Sequence, residues 1–272
     1  MGGEIINKII NQECIEGLKQ LEENSVDLCV TSPPYNVGIE YESWDDNMPM
    51  DKYLQFAKDW LTEVYRVLKP DGRIAVNIPY EVNMKKLGGH NRMLIQSEYH
   101  QIMKEIGYGF AGIVDLDEKA PQKVKFSAWG SWLSASAPYM HNPKECILLG
   151  FKDQWKKLEK GESWYDGSEE SKKEFMEYVS GMWGYFAETR GMTDANFSLD
   201  IPDKAIKFMT YKDDLVLDPF MGSGTTAVSC INLDRRYIGF EISQKYHKIA
   251  TDRVNKVLSK KLTTEKASDF WS

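Results

Sequence analysis

Two short stretches of this chain carry residue types that could do chemistry together. The first is Val30-Thr31-Ser32-Pro33-Pro34-Tyr35-Asn36. It follows an apolar run, Val26 to Val30, broken only by Asp27. That run reads as a buried strand stopped by the two prolines. Its end offers a hydroxyl, a turn whose carbonyl directions are set by the proline rings, and an aromatic face. Such a set suits a planar amine, with oxygens accepting from the NH₂ and a ring stacking on the heterocycle. Standing alone, Ser-Pro-Pro-Tyr reads equally well as a polar surface turn.

The second stretch is Leu215-Val216-Leu217-Asp218-Pro219-Phe220-Met221-Gly222-Ser223-Gly224-Thr225-Thr226. It reads as a buried strand, an acidic end, a glycine loop and a helix start. The glycines let the backbone approach a ligand, and the helix start offers free N–H groups. Glu241 lies 23 residues after Asp218, at the end of the next predicted strand, Tyr237 to Glu241. A carboxylate there reaches ribose hydroxyls. Gly222-x-Gly224-x-x-Ala227 also fits the dinucleotide fingerprint, so a nicotinamide or flavin oxidoreductase is a rival reading. No Gly-Lys-Ser/Thr follows the loop, which disfavours a phosphate-cleaving P-loop.

Together the two stretches resemble the amino-methyltransferases that use S-adenosylmethionine to modify the exocyclic nitrogen of a DNA base. The resemblance covers Ile5 to Leu258 and weakens over 152–196. The catalytic motif precedes the cofactor motif, as in the family's β order. It implies catalytic roles for Ser32, Pro33, Pro34 and Tyr35, and cofactor contacts from Thr31, Asp218, Pro219, Phe220, Gly222, Ser223, Gly224, Thr225 and Glu241. Members with Ser at the first motif position usually methylate cytosine N4, and those with Asp usually adenine N6. Ser32 therefore favours N4 of cytosine, with N6 of adenine as the alternative. The loop Trp129-Gly130-Ser131-Trp132-Leu133-Ser134 also resembles a segment of Ser-Pro-Pro-Tyr members. One departure is Asn196-Phe197-Ser198-Leu199-Asp200-Ile201-Pro202, where members of this order often carry His-Pro. RNA and protein-glutamine methyltransferases usually carry Asn-Pro-Pro-Tyr, so Ser32 argues against them. A silent binding module would have little reason to keep both motifs. C5-cytosine methylation needs a thiolate, and no cysteine sits in a Pro-Cys context. No His or carboxylate base is evident beside Ser32.

A base inside a duplex hides its amine, so double-stranded DNA with a flipped nucleotide is the expected substrate. A restriction–modification methylase would also have a cognate endonuclease. The net charge of −7 counts against a simple DNA binder. Its distribution matters more: Lys119 to Lys160 holds eight lysines against three acids, +5 locally, leaving −12 elsewhere. Lys123, Lys125, Trp129, Trp132, Lys156 and Lys157 are the DNA-contact candidates there, acting on phosphates and bases. Cys14, Cys29, Cys146 and Cys230 are scattered, which disfavours a metal or disulfide framework. No apolar run approaches a membrane span and no secretory signal is evident, so a cytoplasmic protein is expected, as monomer or homodimer.

The elements that must position these residues follow an α/β rhythm. Tyr53, Phe56, Ala57, Trp60, Leu61, Val64 and Leu68 recur at helical spacing, predicting a helix from Met50 to Leu68 closed by the turn Lys69-Pro70-Asp71-Gly72. Tyr41 and Trp44 lie in a predicted loop over the site. Strands are expected over Arg73–Ile78, Phe110–Leu116 and Glu145–Phe151, and helices over Met93–Ile106, Ile201–Met209 and Gln244–Leu258. The fold class is α/β: a Rossmann-like, mostly parallel sheet with helices on both faces, plus an irregular target-recognition insert. Residues 1–151 would form the catalytic half, 152–196 the insert, 197–258 the cofactor-binding half and 259–272 a partly mobile tail.

Overall fold

The structure, a computed structural model, describes residues 5–39, 44–83, 92–118, 142, 144–186 and 197–269, with the side chains of 264–269 left aside. In chain order the elements are β1 (Lys8–Asn11), α1 (Cys14–Leu18), β2 (Val26–Thr31), α2 (Met50–Val67), β3 (Leu68–Pro79), β4 (Val82–Asn83), β5 (Arg92–Met93), α3 (Ile95–Ile106), β6 (Gly109–Glu118), β7 (Glu145–Phe151), α4 (Glu169–Val179), β8 (Met182–Tyr185), α5 (Asp200–Met209), β9 (Leu215–Asp218), α6 (Thr225–Asn232), β10 (Arg236–Glu241) and α7 (Gln244–Asp269). Eight strands form one sheet in the order β1-β10-β9-β2-β3-β7-β6-β8. Only β7 runs against the others, pairing antiparallel with both β3 and β6.

The central strands β2, β9, β10 and β7 are mostly apolar and buried because both faces of the sheet are covered there. Alternation sorts the side chains of the sheet: Cys29, Ile74 and Leu217 pack with α1, α2 and α3, whereas Leu28, Val30, Ala75 and Val216 pack with α5, α6 and α7. The apolar stripe of α2 buries Tyr53, Ala57, Trp60, Leu61 and Val64. Gly107, in the left-handed conformation at φ 116°, closes α3.

From β2 the chain crosses by α2 to β3 on one side. From β9 it crosses by α6 to β10 on the other. Since β2 pairs with β9, the two crossovers diverge at their shared carboxyl ends. That divergence opens the crevice where α/β sheets bind ligands.

Three sequence expectations are revised. Lys69-Pro70-Asp71-Gly72 is not a turn ahead of the strand. β3 starts at Leu68, and a register shift loops out 69–72, since Val26 faces Leu68 and Leu28 faces Arg73. The described part of 152–196 is irregular only as far as residue 168. It carries α4 and β8, which extends the sheet beside β6. Trp183 there is fully buried and its indole N–H donates to the Tyr178 carbonyl at 2.9 Å. The helix expected to end at Leu258 continues to Asp269.

Candidate active site

Ser32 and the glycine loop meet because β2 and β9 lie side by side. Leu28 faces Val216 and Cys29 faces Leu217, so both strands release their loops at the same sheet edge. A cavity of about 450 Å³ opens there, in the range of small-molecule sites. Ser32, Pro33, Pro34 and Tyr35 line it together with Pro219, Phe220, Gly222, Ser223, Thr225 and Glu241.

Thr31, Asp218 and Gly224 do not line the cavity; they build its wall. Asp218 is 2% exposed. It accepts from the Thr31 hydroxyl at 2.7 Å, the Thr226 hydroxyl at 2.6 Å and the Phe220 N–H at 3.0 Å. Burial pushes its carboxyl above the usual aspartate range, against the lowering effect of those three bonds. It ties the end of β2 to the loop that follows β9, rather than offering an open carboxylate. Gly224 has φ +82° and caps α6, and a side chain there would press on Ala250 at 3.1 Å.

Glu241 does reach the cavity. Its carboxylate accepts from the N–H of Gly222 at 2.8 Å and of Ser243 at 2.8 Å. Each oxygen keeps a lone pair for a ligand hydroxyl. Burial raises its carboxyl above the ordinary glutamate range. Gly222, at φ +53°, gives the loop a turn that a side chain would strain. Phe220 is held edge-on by Trp60, ring centroids 5.3 Å apart, and lies 6.0 Å from Phe56, which Trp44 covers at 4.5 Å. A carboxylate, a glycine loop and apolar rings fit the ribose and heterocycle of a nucleoside-type cofactor.

On the other side, the Pro34 carbonyl is already used, accepting from the Tyr53 hydroxyl at 2.9 Å. The loop after Tyr35 is shaped by Asp46, a buried carboxylate that accepts from the N–H groups of residues 36, 37, 38 and 39. Tyr41 lies outside the described residues.

Two residues that sequence reasoning missed stand beside Ser32. Asn77, from β3, donates through Nδ2 to the Tyr35 hydroxyl at 2.8 Å and to Glu145 Oε2 at 2.8 Å. Glu145, the first residue of β7, also accepts from the Tyr35 hydroxyl at 3.3 Å. Ser32 Oγ lies 2.8 Å from that hydroxyl. A carboxylate does stand near the motif, contrary to expectation. It is 110 residues from Tyr35 in the chain, and only the pairing of β7 with β3 brings it there. The alternation Asn77 and Glu145, polar at the ends of apolar strands, was the available signal.

Among the DNA-contact candidates, Lys123, Lys125, Trp129 and Trp132 lie outside the described residues. Lys157 is corrected. Its side chain is 8% exposed, with the ammonium 3.1 Å from Asp27 and 3.3 Å from Asp214. Asp27 is the second residue of β2, so this ion pair sits at the far end of the strand from Ser32. Lys156, exposed, shares that segment, beyond the end of β7 opposite Glu145. All four cysteines are buried and unpaired. Among the described residues no cluster of His, Cys, Asp and Glu could hold a metal ion, and no helix is long and apolar enough to cross a membrane.

Comparison with known proteins agrees with this arrangement. Residues 26–252 match the DNA methylase family. The Type II methyltransferase M.MjaVI of Methanocaldococcus jannaschii is 40% identical over 177 residues, 64% of this chain and 84% of that protein. The Type II methyltransferase M.HpaI of Haemophilus parainfluenzae is 29% identical over 257 residues, 91% of this chain and 74% of that protein. A protein of Thermus thermophilus described as a DNA modification methylase, solved with S-adenosyl-L-methionine, superimposes with a TM-score of 0.72 at 22% identity, over 92% of this chain and 93% of that one. The cytosine-N4-specific PvuII DNA methyltransferase does so with a TM-score of 0.66 at 19% identity, over 95% and 97%. The chain therefore belongs to this family of DNA methylases, the amino-methyltransferases whose methyl donor is S-adenosylmethionine.

Proposed function

We propose that this protein methylates N4 of cytosine in double-stranded DNA, as the modification enzyme of a restriction–modification pair. The observation that carries the choice of base is Ser32 at the first motif position, lining the same cavity as Glu241. N6 of adenine is the alternative, because a neutral hydroxyl can accept from either amine.

In this reading the flipped base enters from the Ser32 side. Ser32 Oγ and the Pro33 carbonyl accept from the NH₂ and turn the nitrogen lone pair toward the cofactor. The Tyr35 ring stacks on the base, its hydroxyl anchored by Asn77. Glu241 holds the ribose hydroxyls, Phe220 packs on the heterocycle, and Gly222, Ser223 and Thr225 let the backbone come close. When bound, S-adenosylmethionine supplies an electrophilic methyl group. The residues around it align donor and acceptor, which is most of what an in-line displacement needs. Thr31 and Asp218 contribute by holding the wall of the cavity. Ser198 and Ile201 line the cavity at the place of the absent His-Pro and are the candidates for the methionine end. Base recognition would fall to the insert, 152–196, together with Lys123, Lys125, Trp129 and Trp132 of the basic stretch before it.

The test is nucleoside mass spectrometry on DNA treated with the protein and labelled S-adenosylmethionine. N4-methylcytosine is the expected product. N6-methyladenine would keep the site and overturn the reading of Ser32.

A further inference from the structure

An amine that gains a methyl group must lose a proton. As the nitrogen–carbon bond forms and the carbon–sulfur bond breaks, the sulfonium charge passes to nitrogen and stays until an N–H proton leaves. Ser32 Oγ, the acceptor assigned to that amine, does not stand alone. Its neighbour at 2.8 Å is the Tyr35 hydroxyl, which donates to Glu145 Oε2 at 3.3 Å. Asn77 Nδ2 donates to both ends of the second link, at 2.8 Å each, and holds them in line.

We propose that Ser32, Tyr35 and Glu145 form a proton relay that carries the surplus proton from the amine to the Glu145 carboxylate. The N–H bond breaks as an O–H bond forms on Ser32. The proton that Ser32 already carried passes to the Tyr35 oxygen. The proton of Tyr35 passes to Glu145 Oε2. Each hydroxyl ends with one proton, as it began, and Glu145 ends as the neutral acid. One proton leaves the amine and one arrives, with no change of oxidation state. Glu145 does not touch the base and acts through Tyr35, so it is a positioning residue. The relay rests on amine methylation and would serve cytosine N4 or adenine N6 alike.

The surroundings of Glu145 suit an acceptor. Burial pushes its carboxyl above the ordinary glutamate range, against the hydrogen bonds from Asn77 and Tyr35. A carboxylate so placed takes a proton more readily than an exposed one. The groups around it come from four directions. β6 brings Glu118, whose charge adds to the rise, and Asp115, which is engaged by the Tyr80 hydroxyl. β8 brings Tyr185, whose hydroxyl faces the charge of Glu145. The end of β2 brings Tyr35, and β3 the uncharged Asn77.

The experiment is single-turnover methylation of DNA by the full-length protein, with labelled S-adenosylmethionine, from about pH 5 to about pH 9, for wild type, Glu145→Gln, Glu145→Asp and Tyr35→Phe. The wild-type rate should fall toward acid as Glu145 fills with a proton beforehand. Glu145→Gln should be roughly 10²-fold slower, the scale of a lost proton acceptor, and should lack that acid limb. Glu145→Asp should keep the limb. Tyr35→Phe, which keeps the ring, should lose it. Affinity for S-adenosylhomocysteine and melting temperature should stay near wild type. A slow Glu145→Gln with the wild-type pH profile would reduce Glu145 to a structural role and overturn the relay, as would a wild-type rate. If Glu145→Gln does not fold, an unchanged limb in Tyr35→Phe overturns it. Identification of the methylated base is a separate readout, so an error about Ser32 cannot be mistaken for an error about Glu145.

Discussion

On the cofactor side of the cavity, the carboxylates are held by donors that no ligand supplies. Asp218 is bound by two threonine hydroxyls and a backbone N–H, and Glu241 by two backbone N–H groups. On the amine side, Ser32, Tyr35, Asn77 and Glu145 bond chiefly to one another. Three of those five donors are backbone N–H groups, which cannot rotate away, and the two threonine hydroxyls are buried, so the first arrangement is largely fixed before any ligand arrives. Hydroxyls can rotate, so the second can change partners when a base enters. One wall is a mould and the other is a set of exchangeable contacts. Turnover needs both: a cofactor held in one place, and a substrate side that can accept a base and release it.

Substitutions can break that contrast, and the largest effect is expected from Asp218→Ala. Three donors lose a buried acceptor, at roughly 1–3 kcal/mol each, so unfolding free energy should drop by about 4 kcal/mol. Chemical denaturation checks this; a midpoint that hardly moves would mean the mould does not depend on this carboxylate. Tyr35→Ala comes next. It should keep S-adenosylhomocysteine affinity and slow methylation by more than about 10²-fold, because base–aromatic stacking and the Tyr35 hydroxyl of the relay are lost together. Unchanged turnover would remove the stacking role.

Glu241→Gln should fold normally and bind S-adenosylhomocysteine about tenfold more weakly, since an acceptor becomes partly a donor. The wild type should show a matching pH dependence. Because burial raises the Glu241 carboxyl, affinity should fall as pH drops through that raised value, and calorimetry on Glu241→Gln should give a flatter profile. The smallest effect is expected from Lys156→Ala, whose DNA affinity should stay within about 0.5 kcal/mol of wild type. A larger loss that shrinks with added salt would place DNA at the far end of the sheet.

The legible parts of this fold are those that repeat locally. The apolar spacing from Tyr53 to Val64 announces α2, and Gly107 announces its end for α3. The strand–loop–helix unit from Leu215 announces the glycine loop. Asn77 and Glu145 stood out only as polar residues near the ends of apolar strands, and their partners were not legible because they come from elements far apart in the chain. The antiparallel direction of β7, which brings Glu145 to Tyr35, leaves no trace in the residues of β7. Trp183 misled for another reason. It lies in the stretch expected to be an irregular insert, while sheet pairing with β6 made it core. Lys157 counted toward a basic face, yet its charge is spent on Asp27 and Asp214. A sum of charges does not say which are already neutralised.

The pairing of β2 with β9 also sets a timetable for synthesis. All six residues of β2 are buried in the finished protein, yet the strand that covers one of its edges is made 188 residues later, as Asp27 and Leu215 show. While the chain is still emerging from the ribosome, β2 can pair with β3 but must leave its other edge bare. Bare strand edges invite wrong partners, and contacts this distant in sequence form slowly. The nascent chain therefore carries a sticky edge through most of its synthesis. The cavity, complete only when Glu241 and Tyr246 have arrived, is among the last features the growing protein can build.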